Sequence, residues 1–164
     1  MQPTSVEYIF CKTPSEFEQG KNMFREYAES LDFDLCFQGF DSELASLTTK
    51  YAYPEGTLIL AMHNQIPVGC VGIRKLEDGT AELKRLYVKP AFRKLQIGEE
   101  LMYLAIQEAK NLGYPAVKLD TLASFIPAVN LYKKLGFKEI PPYNYNPFGN
   151  VLYMELNLDF PTSL

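Results

Sequence analysis

A chain of 164 residues that is 47% hydrophobic and 22% charged is long and apolar enough to bury a core, and it lies away from disordered compositions. Its formal charge of −4 argues against a general nucleic-acid binder, which needs a basic face, and no apolar run approaches the ~18 residues of a membrane span. Three scattered cysteines without a CxxC and a lone His63 argue against a disulfide framework and leave a zinc site almost nothing to use. The start "MQPTSVEYIF" has no basic stretch followed by an apolar one, so no secretion signal is expected and a reducing cytoplasm is the expected location.

In chain order, "PSEFEQGKNMFREYAESL" carries Phe17, Met23 or Phe24, and Tyr27 at helical spacing, with Ser15 as the expected cap and Gly20 as a weak point. "DSELASLTTKY" reads as a second, short helix. "TLILAM" and "PVGCVGIRKL" are β-rich runs divided by "HNQI", and "EDG" turns the chain into "TAELKRLYV", which together predict an antiparallel meander. Ile97, Leu101, Leu104, Ala105, Ala109 and Leu112 then recur at helical spacing until Gly113. "AVKLDTL" is a strand, a helix follows with Pro127 in its first turn and Gly136 past its end, and "FKEI" and "VLYMELNL" close the chain around the aromatic loop "PPYNYNPFGN". The order α-α-β-β-β-α-β-α-β-β predicts a single α/β (α+β) domain over 1–164. Its mixed, mostly antiparallel sheet of six to seven strands would be flanked by helices.

The segment "VKPAFRKLQIGEEL" joins the third strand to the central helix and places Arg93, Lys94 and Gly98 at that helix's start. Unpaired N–H groups there can hold an anion, and a glycine lets a ligand approach the backbone. On local sequence alone, the glycine could equally relax a turn beside solvated cations.

The register Arg93-Lys94-Leu95-Gln96-Ile97-Gly98 resembles motif A of the GCN5-related N-acetyltransferase (GNAT) superfamily, Arg/Gln-x-x-Gly-x-Gly/Ala. "ELKRLYVKPAFR" resembles that family's fourth strand and its exit, and "PAVNLYKKLGF" the stretch with its catalytic tyrosine, at Tyr132. The resemblance spans Pro14 to Leu158. It implies acetyl-CoA as co-substrate, with no metal. The pyrophosphate would rest on the N–H groups from Lys94 through Gln96, Ile97 and Gly98 to Glu99, with Arg93 nearby. The pantetheine arm would pair with the main chain of Leu86, Tyr87 and Val88, in the manner of a strand added to a sheet edge. That requires "RLYV" to part from "VKLDTL". Gln96 replaces the family's first glycine, and Glu99 and Glu100 are expected to face outward. Phe125 stands where many relatives carry a cofactor-contacting asparagine, with Asn130 as a candidate substitute.

Transfer to an amine needs a base for the ammonium and an acid for the leaving thiolate. The resemblance implies Tyr132 as the acid, and a phenol's pKa of ~10 suits it. Glu82 is the first candidate base and Asp120 the second; alternation puts Glu82 on one face with Lys84, Leu86 and Val88. Each carboxylate could instead be half of an ion pair, and Tyr132 an aromatic that packs helix on sheet. For the acceptor, Tyr27, Phe33, Phe37, Tyr143, Tyr145 and Phe148 would frame an aromatic pocket with Asp32, Asp34 and Asp41 at its rim, a setting that favours a cationic amine. Aromatics packing a loop beside solvated acids would look the same. The resemblance implies an N-acetyltransferase acting on a small-molecule or peptide amine, with homodimerisation open, and the composition predicts no nucleic acid or membrane as partner. A non-catalytic acyl-CoA binder or sensor of the same fold is the alternative, and an interaction module that binds no CoA is a third.

Overall fold

The computed structural model describes residues 5–31 and 39–158. Seven strands form one sheet: β1 (Glu7–Phe10), β2 (Thr57–His63), β3 (Ile66–Lys75), β4 (Ala81–Val88), β5 (Ala116–Leu122), β6 (Lys138–Ile140) and β7 (Val151–Asn157). Their spatial order is β1-β2-β3-β4-β5-β7-β6. Every pairing is antiparallel except β4 with β5. The helices are α1 (Pro14–Glu29), α2 (Phe40–Ala45), α3 (Leu47–Lys50), α4 (Ile97–Asn111) and α5 (Ile126–Lys134). The mixed sheet flanked by helices matches the expected fold class. Two details differ from the expected order. A four-residue edge strand precedes the first helix, and the expected second helix is two helices that meet at Ser46.

Alternation along the strands divides the core. Ile59 and Ala61 face α4 and α5, whereas Leu58 and Leu60 face α1 and α3. On the α4 side, Leu101, Met102, Ala105 and Ala109 are fully buried against Ile73, Val117 and Met154, and that apolar stripe is what makes α4 the central helix. On the other side, α1 begins with a capping box. The Thr13 hydroxyl accepts from the N–H of Glu16, and the Glu16 carboxylate accepts from the N–H of Thr13. Thr13, not Ser15, is therefore the cap. Gly20 is no defect: a Cβ there would lie 2.7 Å from Leu58 Cδ1, so its absence lets α1 sit close on β2.

The same reasoning gives a test of packing on β3. A Cβ on Gly72 would lie 2.5 Å from Cε1 of Tyr51, whose ring is fully buried edge-on against Phe24 at 5.4 Å. Gly72→Ala should cost about 1–3 kcal/mol, read as a lower denaturation midpoint at unchanged slope.

Two irregularities shape the middle of the sheet. Arg85 is left-handed (φ 63), and the β3–β4 register shifts there, so that two residues of β4, Arg85 and Leu86, oppose one of β3, Val71. This bulge inverts the alternation: Ala81 and Leu83 face α4, and so do Leu86 and Val88. Glu82 and Lys84 thus do not share a face with Leu86 and Val88, as uninterrupted alternation would require. Second, β4 and β5 pair only at Ala81↔Val117 and Glu82↔Lys118. Beyond those pairs the strands part, as the predicted cleft demands.

Candidate active site

The parting of β4 from β5 opens a cleft of about 820 Å³. Leu86, Tyr87 and Val88 form its β4 wall, and Arg93, Lys94, Gln96, Ile97 and Gly98 form its floor at the start of α4. Lys94 (φ 73) and Gln96 (φ 61) are both left-handed, a local geometry that turns successive N–H groups toward one side. Gln96 is the N-cap residue but makes no side-chain cap hydrogen bond, and the first helical donation is from Glu100 N–H to the Gln96 carbonyl at 3.1 Å. The N–H groups of Ile97, Gly98 and Glu99 precede that bond and are the donors a helix start offers an anion. A Cβ on Gly98 would meet only Val88 Cγ2 at 3.8 Å. The space beside this backbone is open, and a pyrophosphate fits such a cradle.

The acidic first turn of α4 faces away. Glu99 pairs with Lys134 at 3.0 Å and lies outside the cleft lining. Arg93 is more committed than expected. Its Nε donates to the Val88 carbonyl at 3.0 Å and its guanidinium lies 5.9 Å from the Tyr87 ring centroid, so it braces the end of β4 as well as adding charge. Tyr87 in turn donates its hydroxyl to Glu26 at 3.0 Å; burial first, and that carboxylate second, raise its phenol to about 12. Asn130 is exposed and lines neither hollow. Phe125 itself lines the cleft, joined by Phe92, Ser124 and Pro127, which carried no sequence signal of this role.

A smaller recess of about 120 Å³ continues from the cleft, sharing Tyr27, Leu86, Phe125 and Ala128 as walls. It brings Tyr132 and Asp120 together. Tyr132 is 6% exposed and its ring packs 5.9 Å from Phe137. Burial raises its phenol well above the ordinary value, with Tyr27 and Asp120 adding to the effect, so it stays protonated at neutral pH. Asp120 Oδ2 accepts from Asn144 Nδ2 at 3.0 Å, and Asn144 Oδ1 accepts from the Tyr153 hydroxyl at 3.0 Å. Asn144 thus fixes the orientation of the carboxylate.

Glu82, the first candidate base, lies elsewhere. It is 1% exposed and outside the recess lining. One oxygen accepts from Arg74 through Nε at 2.9 Å and through the terminal nitrogen at 2.9 Å; the other accepts from the Tyr143 hydroxyl at 2.8 Å. The bulge at Arg85 is the reason: β4 turns Glu82 away from the face that carries Leu86.

The acceptor-side aromatics also separate. Tyr27 and Phe148 line the recess, Tyr143 is tied to Glu82 on the far side, and Tyr145 is 76% exposed. Phe33, Phe37, Asp32 and Asp34 lie outside the described residues, and Asp41 is exposed in the first turn of α2. Among the described residues the charged lining of the recess is Lys84, Arg85 and Asp120. The buried pair beneath it carried no signal legible in the sequence. Arg85 donates to both oxygens of Glu43, at 2.7 and 3.1 Å, and lies 5.3 Å from the Phe40 ring centroid.

Among the described residues no cluster of three His, Cys, Asp or Glu could hold a metal ion, and no helix is long and apolar enough to cross a membrane. A sheet splayed beside an open helix start, with a protonated phenol and a carboxylate at its inner end, belongs to the acyltransferase class. The comparisons make the class specific. The acetyltransferase (GNAT) family matches residues 21–137. An uncharacterized N-acetyltransferase of Schizosaccharomyces pombe is 39% identical over 160 residues, covering 96% of this chain and 98% of that protein. The fold is shared with a GNAT-family acetyltransferase of Staphylococcus aureus, with a TM-score of 0.77 at 24% identity over 94% of this chain and 100% of that one. It is also shared with a Salmonella typhimurium protein solved with its cofactor acetyl-CoA, with a TM-score of 0.65 at 16% identity over 94% of each chain. The chain belongs to the GNAT acetyltransferase family and is an acyltransferase.

Proposed function

We propose that residues 1–164 form a single N-acetyltransferase domain that moves an acetyl group from acetyl-CoA to a primary amine by direct attack, with Tyr132 as acid and Asp120 as base. The observation that carries this reading is the continuity of the cleft with the recess: the helix-start donors stand at one end, and Tyr132 and Asp120 share the other. When bound, acetyl-CoA would supply a thioester carbonyl open to attack and a thiol as leaving group. The N–H groups of Ile97, Gly98 and Glu99 would hold its pyrophosphate, and the β4 main chain at Leu86 and Tyr87 would align its amides.

Asp120 takes the ammonium proton at the carboxylate, held in orientation by Asn144. Tyr132 keeps a proton on its hydroxyl for the departing sulfur. Leu119 and Leu122 are among the apolar walls of the inner end, and a lower local dielectric strengthens both interactions. A reducing cytoplasm remains the proposed location, supported by Cys11 and Cys70, which are free and buried.

Gly98→Val tests the cradle. The chain itself has room for the side chain, so the variant should fold, yet the branched group would fill the anion's approach. Calorimetric titration with CoA should show binding weakened by about tenfold or more, since loss of one charge-assisted contact is worth ~1.5–3 kcal/mol. Unchanged affinity would place the phosphates elsewhere.

A further inference from the structure

We propose that Phe125 sets the length of the acyl group, confining transfer to a two-carbon chain. This rests on the acetyl-transfer reading and adds the donor specificity of that same site. Three observations carry it.

The first is position. Among the described residues, four line both the cleft and the recess: Tyr27, Leu86, Phe125 and Ala128. Tyr132 and Asp120 line the recess but not the cleft. An acyl group whose sulfur lies in the cleft therefore reaches them between those four side chains. Ala128 contributes only a methyl there, and Leu86 belongs to the β4 segment that would align the pantetheine arm. Tyr27 stands on α1, its ring centroid 6.0 Å from that of Tyr87 and 5.9 Å from the Arg85 guanidinium. Phe125 is the bulk on the α5 side of the passage.

The second is how Phe125 is placed. Its N–H donates to the Leu122 carbonyl at 3.0 Å, and its carbonyl accepts from the Val129 N–H at 2.9 Å. It is the N-cap residue of α5, yet its side chain makes no cap hydrogen bond. The backbone fixes where the ring starts, and the ring does nothing for the cap. A smaller side chain would leave the helix start intact and widen the passage.

The third is volume. The recess holds about 120 Å³, room for about four groups of water size at ~30 Å³ each. The thioester carbon, its oxygen, one methyl and the attacking nitrogen take that room. Its inner walls yield little. Leu83, Leu119 and Tyr132 are buried members of the α4-side core, and an extra methylene in a packed core forces side chains off their rotamers. Without the Phe125 ring, the added methylenes would occupy the ring's place.

The test uses the full-length chain and measures amine-dependent thiol release. Ethanolamine, spermidine, tyramine and a dipeptide are screened first with acetyl-CoA, and the best acceptor is then used with acetyl-, propionyl- and butyryl-CoA. These thioesters differ little in intrinsic reactivity, so a strong preference must come from the protein. We expect kcat/KM for acetyl to exceed propionyl by about 10-fold and butyryl by about 100-fold, the low end of what one methylene is worth in an apolar pocket. In Phe125→Ala the acetyl-to-butyryl ratio should fall at least tenfold, and in Phe125→Leu most of it should remain. Because each ratio is taken within one variant, a general loss of stability or of CoA affinity cancels. Butyryl used within threefold of acetyl by the native chain, or a preference as large in Phe125→Ala as in the native chain, would overturn the assignment and leave the transfer reading standing. If CoA binds but no amine releases thiol from any of the three donors, the acetyl-transfer reading itself fails, and this inference fails with it.

Discussion

Tyr132→Phe should lower turnover by about 10²- to 10⁴-fold, the usual contribution of a positioned general acid, with CoA affinity and melting temperature nearly unchanged. The substitution removes one oxygen and leaves the ring. That ring is what packs against Phe137 and the α4 side of the core, so a merely structural tyrosine would tolerate it. The hydroxyl sits in a recess where burial holds the phenol protonated, the state in which it can protect the leaving sulfur from departing as a bare anion. Asp120→Asn should also slow the reaction, because an amide cannot take the ammonium proton. Glu82→Gln should behave differently. It weakens the contact with Arg74 and should lower stability more than turnover. Steady-state thiol release, CoA titration and thermal melts on the three variants separate these roles. Turnover of Tyr132→Phe within twofold of the native chain would remove the acid assignment.

The contrast between Glu82 and Asp120 shows what the sequence could convey and what it could not. "AVKLDTL" coincides with β5 residue for residue, because its composition and flanking turns admit one reading. The shoulder before α4 was legible for the same reason: cations, then a glycine, at the start of a helix whose apolar stripe is strong. Phase was not legible. In "AELKRLYV" the apolar and polar residues run on without a mark at Arg85, yet one left-handed residue there shifts the alternation by a step. Every inference that carried Glu82 toward the cleft crossed that step.

The loop 141–150 failed for a different reason. Its side chains find partners distant in sequence: Tyr143 reaches Glu82 and Asn144 reaches Asp120. Composition does not encode such pairings. Gln96 is an intermediate case. The family's glycine position is recognisable, and the structure shows why glycine suits it, since the residue there is left-handed at φ 61. A glutamine adopts that conformation at a cost of about 1–2 kcal/mol, and the backbone N–H groups beyond it are set as a glycine would set them. β1 escaped notice because four residues at an edge show too little periodicity to separate from a loop.

Glu43→Ala should destabilise the fold by about 3–5 kcal/mol, the cost of leaving a buried charge without its partner. The pair it breaks fastens α2 to the bulge of β4. Arg85 and Glu43 are each 3% exposed at the side chain and meet through two bonds, and Tyr51 donates its hydroxyl to the same carboxylate at 2.9 Å. Removing the carboxylate strands a guanidinium among Tyr27 and Phe40, which stabilise a cation only weakly. Glu43→Leu combined with Arg85→Met should recover much of the loss, because apolar packing can replace a buried pair but not half of one.

The pH dependence has a definite sign. Burial alone would raise the Glu43 carboxyl, but the hydrogen bonds and charge of Arg85 outweigh it and hold it below the ordinary carboxylate range. A lowered folded-state value means the contribution to stability is fully present above the unfolded value of ~4.3 and disappears as pH falls through the folded one. Denaturant titrations between pH 7 and pH 3 should therefore show the native chain losing stability more steeply than Glu43→Ala. Because Arg85 also walls the recess, the variant should lose discrimination between amine acceptors at temperatures well below its melting point. A loss of less than about 1 kcal/mol would mean that Arg85 finds water or another carboxylate when Glu43 is gone, and that the bulge holds its shape without the pair.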